Sequence, residues 1–295
     1  MVRRLLSPVA ALGALYVALS PRVFVSLYGS MLFKPDRFPA GNYECDSLNG
    51  LTRKEVFFPA PDGRQLHGWL FRREDTRWVI LFNHGNAGNL TYRLGLVKLL
   101  IEAGGSVFLY DYRGYGLSEG SPSLKSVCED GLAAYDYLVT EQQFAPEDVV
   151  IYGESLGCGV ACHTSRYRGS AGLILQSAFT SLSRIGKHVL PLLRIYPEWL
   201  FPRPELNNLV ALQGRHPPLL IFHGKLDTLV PFSHAEELYA QASEPKTLVP
   251  LPTTGHNDIS GTEPELFKAS LSKFLRSLPE VPGASPLVVS ERFGN

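Results

Sequence analysis

The sequence has few cysteines, no excess of charge of either sign and no short metal-binding motif. Four cysteines in 295 residues are too few for a disulfide framework. There is no CxxC pair and no HExxH helix, so no zinc site is predicted. No metal or organic cofactor is implied. Lysine plus arginine and aspartate plus glutamate both number 28, which gives a formal net charge of zero. A basic surface that binds nucleic acid is therefore not expected.

The composition does favour a folded enzyme-sized domain. Hydrophobic residues make up 45% of the chain and charged residues 19%, which suffices for a large buried core and excludes a disordered polymer. The length would allow two average domains, but α/β folds of roughly 250 residues commonly form one. We expect one catalytic domain with additional segments at its ends.

An apolar stretch within residues 1–35 predicts a membrane anchor or a signal segment. Two arginines at positions 3 and 4 precede a first apolar run, 5–19, and a second run, 23–33, follows Arg22. The first run is short for a span of about 20 residues, and a charge such as Arg22 is costly inside lipid. A single N-terminal anchor on a membrane-associated protein is the leading interpretation. The alternatives are the cleaved signal of a secreted or exported protein, an interfacial hairpin, and a helix packed on the domain.

From about residue 50 to residue 278 buried strands alternate with amphipathic helices, which predicts a mostly parallel central sheet with helices on both faces. The tail, 279–295, lacks helical periodicity and is predicted to be flexible. Predicted strands are 54–59, 65–71, 78–82, 107–110, 149–152, 173–175, 219–222 and 247–251, and predicted helices are 91–102, 124–142, 156–166, 233–241 and 264–276.

One long interval interrupts this alternation and predicts a small inserted cap at about residues 178–216. The stretch is rich in aromatic residues and prolines and is too long for a simple connection between neighbouring strands. Its apolar side chains either contact a hydrophobic substrate or seat the cap on the core. Candidate substrate contacts are Leu192, Tyr196 and Trp199.

The pentapeptide Gly153-Glu154-Ser155-Leu156-Gly157 follows a predicted strand directly and opens a predicted helix. In that context GxSxG indicates a nucleophile elbow, a sharp turn that exposes a serine at a helix N-terminus. The two glycines leave room where the turn brings strand and helix together. We therefore predict that Ser155 is a catalytic nucleophile; a tight turn with a solvated serine is the alternative.

A serine nucleophile needs a base, and the base needs an acid that orients it. Asp227 follows the predicted strand 219–222, and His256 follows the strand 247–251, so both lie past carboxyl ends of strands. Ligands bind at this edge of open α/β sheets. We predict His256 as general base and then acid, with Asp227 fixing its tautomer. Asp258 and Asp111 are rival carboxylates; Asp111 is interpreted as part of the loop architecture.

Acyl transfer also needs donors for an oxyanion. The backbone N–H of Leu156 is one predicted donor, because it follows the nucleophile. The loop that begins at His84 follows an early strand and is rich in small residues, so the Asn86 amide is the second predicted donor, with Ala87 as substitute. His84 is expected to orient this loop rather than to act as a catalytic group.

Four motifs together resemble the α/β-hydrolase superfamily over roughly residues 53–278. They are His84-Gly85-Asn86-Ala87-Gly88-Asn89, Asp111-Tyr112-Arg113-Gly114-Tyr115-Gly116, the Ser155 pentapeptide and Gly255-His256-Asn257-Asp258. The set is similar to the branch that contains the bud-emergence-type proteins and α/β-hydrolase-domain-containing proteins 13 and 17. The resemblance implies an α/β-hydrolase fold and, for some members, removal of palmitoyl groups from cysteines. The members that remove palmitoyl groups have a lipidated N-terminus with clustered cysteines, whereas this chain has no cysteine before Cys45. The predicted cap is not matched by any of the four motifs.

These observations predict a serine esterase or thioesterase that forms an acyl-enzyme on Ser155. The expected partner is a small-molecule or acylated substrate, with a membrane contact through the N-terminal segment. A serine peptidase, an acyltransferase and a non-catalytic interaction scaffold on the same fold are the alternatives.

Overall fold

The computed structural model of the protein describes residues 7–279. The first six residues of the predicted anchor and nearly all of the predicted tail, 279–295, lie outside the described residues. The described strands are β1 (Lys34–Pro35), β2 (Ser47–Leu48), β3 (Leu51–Pro59), β4 (Gln65–Phe71), β5 (Val79–Asn83), β6 (Ala87–Gly88), β7 (Ser106–Tyr110), β8 (Val149–Glu154), β9 (Gly172–Gln176), β10 (Leu219–Gly224) and β11 (Lys246–Leu251).

A nine-stranded sheet forms the centre of the described chain, in the order β11-β10-β9-β8-β5-β7-β4-β3-β2. The strands from β7 to β11 in this order are parallel, whereas β4, β3 and β2 add as antiparallel hairpins at one edge. Strands β1 and β6 form a separate short parallel pair. The predicted mostly parallel sheet is confirmed.

Alternating side chains of the buried strands supply two apolar cores, one on each face of the sheet. In β5, Val79 and Leu81 belong to one core, and Ile80 and Phe82 belong to the other. This period of two follows from the pleat of a strand. The uninterrupted apolar runs seen in the sequence thus come from strands that are covered on both faces.

The helices cover both faces much as their periodicity predicts. Helices α4, α5 and α8 contribute to one core, and α3 and α10 contribute to the other. Helices α6, α7 and α9 were not predicted, whereas α1 and α2 lie within the apolar segment 1–35 that was predicted as an anchor or signal. The helices are α1 (Pro8–Ala18), α2 (Val25–Leu32), α3 (Leu94–Glu102), α4 (Leu124–Thr140), α5 (Leu156–Tyr167), α6 (Leu182–Val189), α7 (Asn208–Gln213), α8 (Ser233–Gln241), α9 (Ile259–Thr262) and α10 (Pro264–Ser277).

The predicted cap consists of α6, two 3₁₀ turns (Pro191–Ile195 and Glu198–Leu200) and α7. Its middle part has a small apolar cluster of its own, built on Leu193, Tyr196, Leu200 and Phe201. Helix α7 instead packs with the main core through Leu212. The part of the insertion that is separate from the core is therefore shorter than the interval 178–216.

The apolar N-terminal stretch forms two short helices that lie against the cap. The Tyr16 ring of α1 stacks on Tyr196 at a centroid distance of 4.9 Å, and the Tyr16 hydroxyl donates to the Ile195 carbonyl at 2.6 Å. Between the helices, Arg22 donates from its backbone N–H to the Leu200 carbonyl and from its guanidinium to the Trp199 carbonyl. Within residues 7–279, no helix combines the length and apolar character that a membrane crossing requires.

Candidate active site

Ser155 lies in the turn between β8 and α5, with a positive φ of 52°. Left-handed backbone is strained for a residue with a side chain and is kept where the surroundings enforce it. A Cβ atom at Gly153 would lie 2.5 Å from the Gly157 carbonyl oxygen, and one at Gly157 would lie 2.0 Å from the Asn83 carbonyl oxygen. Strand, turn and helix are therefore so close that only glycine fits on either side of the serine.

The structure brings the three side chains of the predicted triad together. The Ser155 hydroxyl oxygen lies 2.9 Å from Nε2 of His256, and Nδ1 of the same ring lies 2.7 Å from Oδ2 of Asp227. These distances are those of a continuous hydrogen-bonded chain from nucleophile to base to carboxylate. Asp258 instead accepts a hydrogen bond from the Gly255 backbone and so shapes the turn before the histidine.

Asp227 is held as a carboxylate. Its Oδ1 accepts hydrogen bonds from the backbone N–H groups of Leu229 and Val230, at 2.9 and 2.8 Å. Burial by itself would raise the pKa of Asp227, but the hydrogen bonds from His223 and His256 outweigh it and hold the pKa well below its usual range. The acid can therefore stabilise a positive charge that develops on the imidazole.

Backbone packing positions the histidine loop over the end of β10. A Cβ atom at Gly224 would lie 2.2 Å from the Thr254 carbonyl oxygen, so the two loops touch through their backbones. The Leu226 N–H donates to the Thr254 carbonyl at 3.0 Å, and the Ser177 hydroxyl donates to the His256 carbonyl at 2.7 Å. Ser177 is a positioning residue that no sequence motif identified.

Both predicted oxyanion donors border the same space as Ser155. Leu156 is the first residue of α5, so its N–H has no acceptor within the helix. Asn86 and Leu156 both line the cavity into which Ser155 opens. The Asn86 carbonyl accepts hydrogen bonds from the Lys34 N–H and the Tyr115 hydroxyl, at 2.9 and 2.7 Å, which fixes this part of the loop.

A buried histidine and aspartate support the same loop. His84 and Asp111 are both fully buried, with Nε2 of the histidine 3.4 Å from Oδ1 of the aspartate. The same Oδ1 accepts the Leu90 N–H at 2.8 Å. Asp111 thus contacts both ends of the loop that carries Asn86. Nδ1 of His84 lies 2.7 Å from the Gly85 carbonyl oxygen, so both ring nitrogens face groups of this loop region and not the triad.

Comparisons with known proteins agree with this architecture. The family described as serine aminopeptidase, S33, matches residues 74–216. The Salmonella typhimurium protein YfhR is 32% identical over 279 residues, which cover 88% of this chain and 91% of that protein. The α/β hydrolase domain-containing protein WAV2 of Arabidopsis thaliana is 30% identical over 78% of this chain and 81% of its own length. The chain belongs to the α/β-hydrolase superfamily. The resemblance seen in the motifs is thereby confirmed.

A solved structure and one further relative are also similar to this α/β hydrolase. The Pyrococcus furiosus esterase Pf2001 superposes with a TM-score of 0.69 at 22% identity, covering 84% of this chain and 98% of the esterase. That likeness shows the fold. The yeast protein YNL320W, 30% identical over 71% of this chain and 75% of its own length, is described as a membrane protein.

The hydrolase has a cavity of about 680 Å³ at the nucleophile. This volume lies within the range of about 300 to 1,000 Å³ that is typical of small-molecule sites. Its walls are mostly apolar and come largely from α2 and from the cap, including α6, and Ser155 and Leu156 also line it.

The candidate substrate contacts from the sequence analysis are not among the lining residues of this cavity. Leu192 and Trp199 point to the surface, with 73% and 57% of their area exposed, whereas Tyr196 is buried against Tyr16. The neighbouring cap residues Ile185 and Leu193 line the cavity in their place. In the segment with the two 3₁₀ turns only about every third residue is buried, so Leu192, Ile195 and Trp199 are exposed. The sequence pattern did not reveal this arrangement.

Proposed function

We propose that the protein is a serine esterase or thioesterase that works through an acyl-enzyme on Ser155. The observation that carries the proposal is the hydrogen-bonded chain Ser155, His256 and Asp227, with distances of 2.9 and 2.7 Å between the partners. Because Asp227 is held as a carboxylate, the imidazole Nδ1 carries the proton and Nε2 is free to accept one from the serine.

The reaction proceeds in two acyl transfers. Ser155 Oγ attacks the carbonyl carbon while His256 Nε2 takes its proton, and the oxyanion is met by the amides of Leu156 and Asn86. The tetrahedral intermediate collapses when His256 returns the proton to the leaving alcohol or thiol. Water, deprotonated by His256, then attacks the acyl-enzyme; His256 returns that proton to Ser155 Oγ as the acyl–oxygen bond breaks, which releases the acid and restores the serine. Removal of one such oxyanion donor costs about 2.7 to 4 kcal/mol in comparable sites.

An apolar acyl group is the substrate part that suits the cavity. The lining is mostly apolar and reaches from Ser155 to α2 and the cap. Each methylene that leaves water contributes about 0.8 kcal/mol to binding. The cavity therefore favours an ester or thioester with an acyl chain over a small polar ester.

A serine aminopeptidase is the second candidate, because the matching family carries that description. Such an enzyme must bind a cationic N-terminal amine, which calls for a carboxylate near the nucleophile. Among the described residues that line the cavity, Arg22, Lys125 and Arg203 are basic and none is acidic. This charge pattern favours the esterase over the aminopeptidase. We expect aminoacyl p-nitroanilides to be turned over far more slowly than p-nitrophenyl esters.

We further propose that α1 and α2 rest on a membrane surface rather than crossing it. Nearly every side chain of α1 is exposed although most are apolar, including Val9, Leu12 and Leu15. Binding at a membrane interface strengthens with the apolar area that is buried there, and α1 exposes such area. The yeast relative's description as a membrane protein agrees with this proposal. The wild type should cosediment with phosphatidylcholine vesicles, whereas the Leu12→Glu, Leu15→Glu variant should stay in the supernatant. Equal sedimentation of both would refute the contact.

A fluorophosphonate probe tests the chemistry. The wild type should be labelled covalently, and Ser155→Ala should not be labelled. Ser165→Ala is the matched control, since Ser165 lies in the same helix α5 and outside the triad. The acyltransferase alternative would label as well, but it would transfer the acyl group to an added alcohol in preference to water. A scaffold would leave all three proteins unlabelled.

A further inference from the structure

Helix α2 forms one wall of the cavity at the nucleophile. Val25, Gly29 and Leu32 of this helix line the same space as Ser155. Another part of the lining comes from the cap, including Ile185 and Gly186 of α6, more than a hundred residues later in the chain. The segment that the sequence presents as an anchor is therefore also part of the substrate site.

The C-terminal end of α2 is tied to the oxyanion loop. The Asn86 side-chain amide donates to the Leu32 carbonyl at 2.7 Å, and the Lys34 N–H donates to the Asn86 carbonyl at 2.9 Å. Phe33 is buried in the main core directly after the helix. These contacts hold the helix against the catalytic loop at a defined distance.

The other end of α2 is tied to the cap. Tyr28 packs on the cap cluster that includes Leu193, and its hydroxyl donates to the Leu19 carbonyl at 3.1 Å. The Arg22 backbone N–H donates to the Leu200 carbonyl at 2.8 Å. Because both of its ends are held, α2 keeps its cavity-facing side in place.

Two glycines on different walls leave the cavity wide. A Cβ atom at Gly29 would meet no atom of residues 7–279 within 4 Å, and one at Gly186 in α6 would meet only the Leu193 side chain, at an ordinary 3.5 Å. Neither residue has a positive φ. Glycine in a helix interior is unfavourable compared with alanine. Backbone conformation and close packing therefore do not require glycine at either position, and what both provide is open volume in the cavity.

We propose that α2 is an acyl-binding wall and that Gly29 and Gly186 are specificity-determining residues that admit long acyl chains. The inference rests on the proposed serine esterase or thioesterase function and names its substrate class: esters or thioesters of long-chain fatty acids. The acyl chain of the substrate lies between α2 and α6, and its carbonyl carbon lies at Ser155. Side chains at either glycine occupy the space that the distal methylenes need.

The test compares p-nitrophenyl dodecanoate with p-nitrophenyl acetate for the full-length protein in one detergent. Gly29→Phe should lower the ratio of kcat/KM for dodecanoate over acetate at least tenfold, since each methylene kept out of the cavity costs about fourfold in binding. Gly13→Phe is the matched control, because a Cβ atom at Gly13 in α1 also meets no described atom and Gly13 does not line the cavity. The control should keep the wild-type ratio.

Gly186→Leu tests the wall formed by α6 and should lower the ratio of dodecanoate over acetate at least tenfold. If Gly29→Phe unfolds on heating at a much lower temperature than the wild type, Gly186→Leu takes its place in the test. A ratio within threefold of wild type in a folded variant of either kind would overturn the inference. An equal fall for both esters would also overturn it, because it would indicate damage to the triad rather than a shortened cavity. If the wild type neither hydrolyses acetate nor reacts with fluorophosphonate, the proposed function itself has failed.

Discussion

Replacement of Asp227 by asparagine isolates the role of the buried carboxylate. In the native site Oδ1 accepts two backbone N–H groups and Oδ2 faces His256 Nδ1 at 2.7 Å. An asparagine would keep its oxygen on the two amides and turn its NH₂ group toward the imidazole. The ring would then have to accept at Nδ1 and carry its proton on Nε2, which faces Ser155. That tautomer cannot take the serine proton.

The expected loss in kcat is about 10⁴-fold, the effect of the same substitution in a serine protease triad. This loss corresponds to about 5.4 kcal/mol in transition-state stabilisation. The assay is hydrolysis of p-nitrophenyl butyrate together with the rate of fluorophosphonate labelling, and both should fall. Asp258→Asn is the matched control, since Asp258 caps the Gly255 N–H and makes no contact with the imidazole. Turnover by Asp227→Asn within tenfold of the wild type would refute the assigned role.

Three further outcomes follow from the packing around the site. Gly157→Ala should abolish fluorophosphonate labelling and lower the unfolding temperature, because the added methyl group would lie 2.0 Å from the Asn83 carbonyl oxygen. Normal labelling would contradict the tight turn. Asp111→Ala should lower kcat by about 10²-fold with little change in KM, because loss of the Oδ1 acceptor releases the Leu90 N–H and lets the oxyanion loop move. A change confined to KM would argue against positioning. Cys158 and Cys162 should resist iodoacetamide until the protein is denatured, because burial raises the pKa of both thiols, to about 12 for Cys162; rapid native alkylation would contradict this.

Much of the catalytic site could be predicted from the sequence because its signals are local. The Ser155 pentapeptide stands between a buried strand and an amphipathic helix, and that order alone requires a sharp turn. Asp227 and His256 each follow a strand at its carboxyl end, and parallel strands place those ends at one edge of the sheet. The alternation of strands and helices likewise predicts the parallel sheet that the structure contains.

The substrate cavity could not be predicted in this way because it depends on contacts between distant parts of the chain. An apolar run such as 23–33 can be buried in a membrane, belong to a signal segment or form the wall of a cavity, because the hydrophobic effect does not specify the partner surface. Only the tertiary structure places Gly29 and the cap residues around the cavity into which Ser155 opens. The cap shows the same limit: Leu192, Tyr196 and Trp199 are all apolar or aromatic, yet 3₁₀ geometry and the contact with Tyr16 direct them away from the cavity.

The sequence by itself therefore determined the candidate catalytic residues and the order of strands and helices that carries them, because a nucleophile elbow and strand-end residues are specified by the few residues around each. The tertiary structure decided which surface surrounds that chemistry, because the cavity walls are brought together by packing between segments that are far apart in the chain.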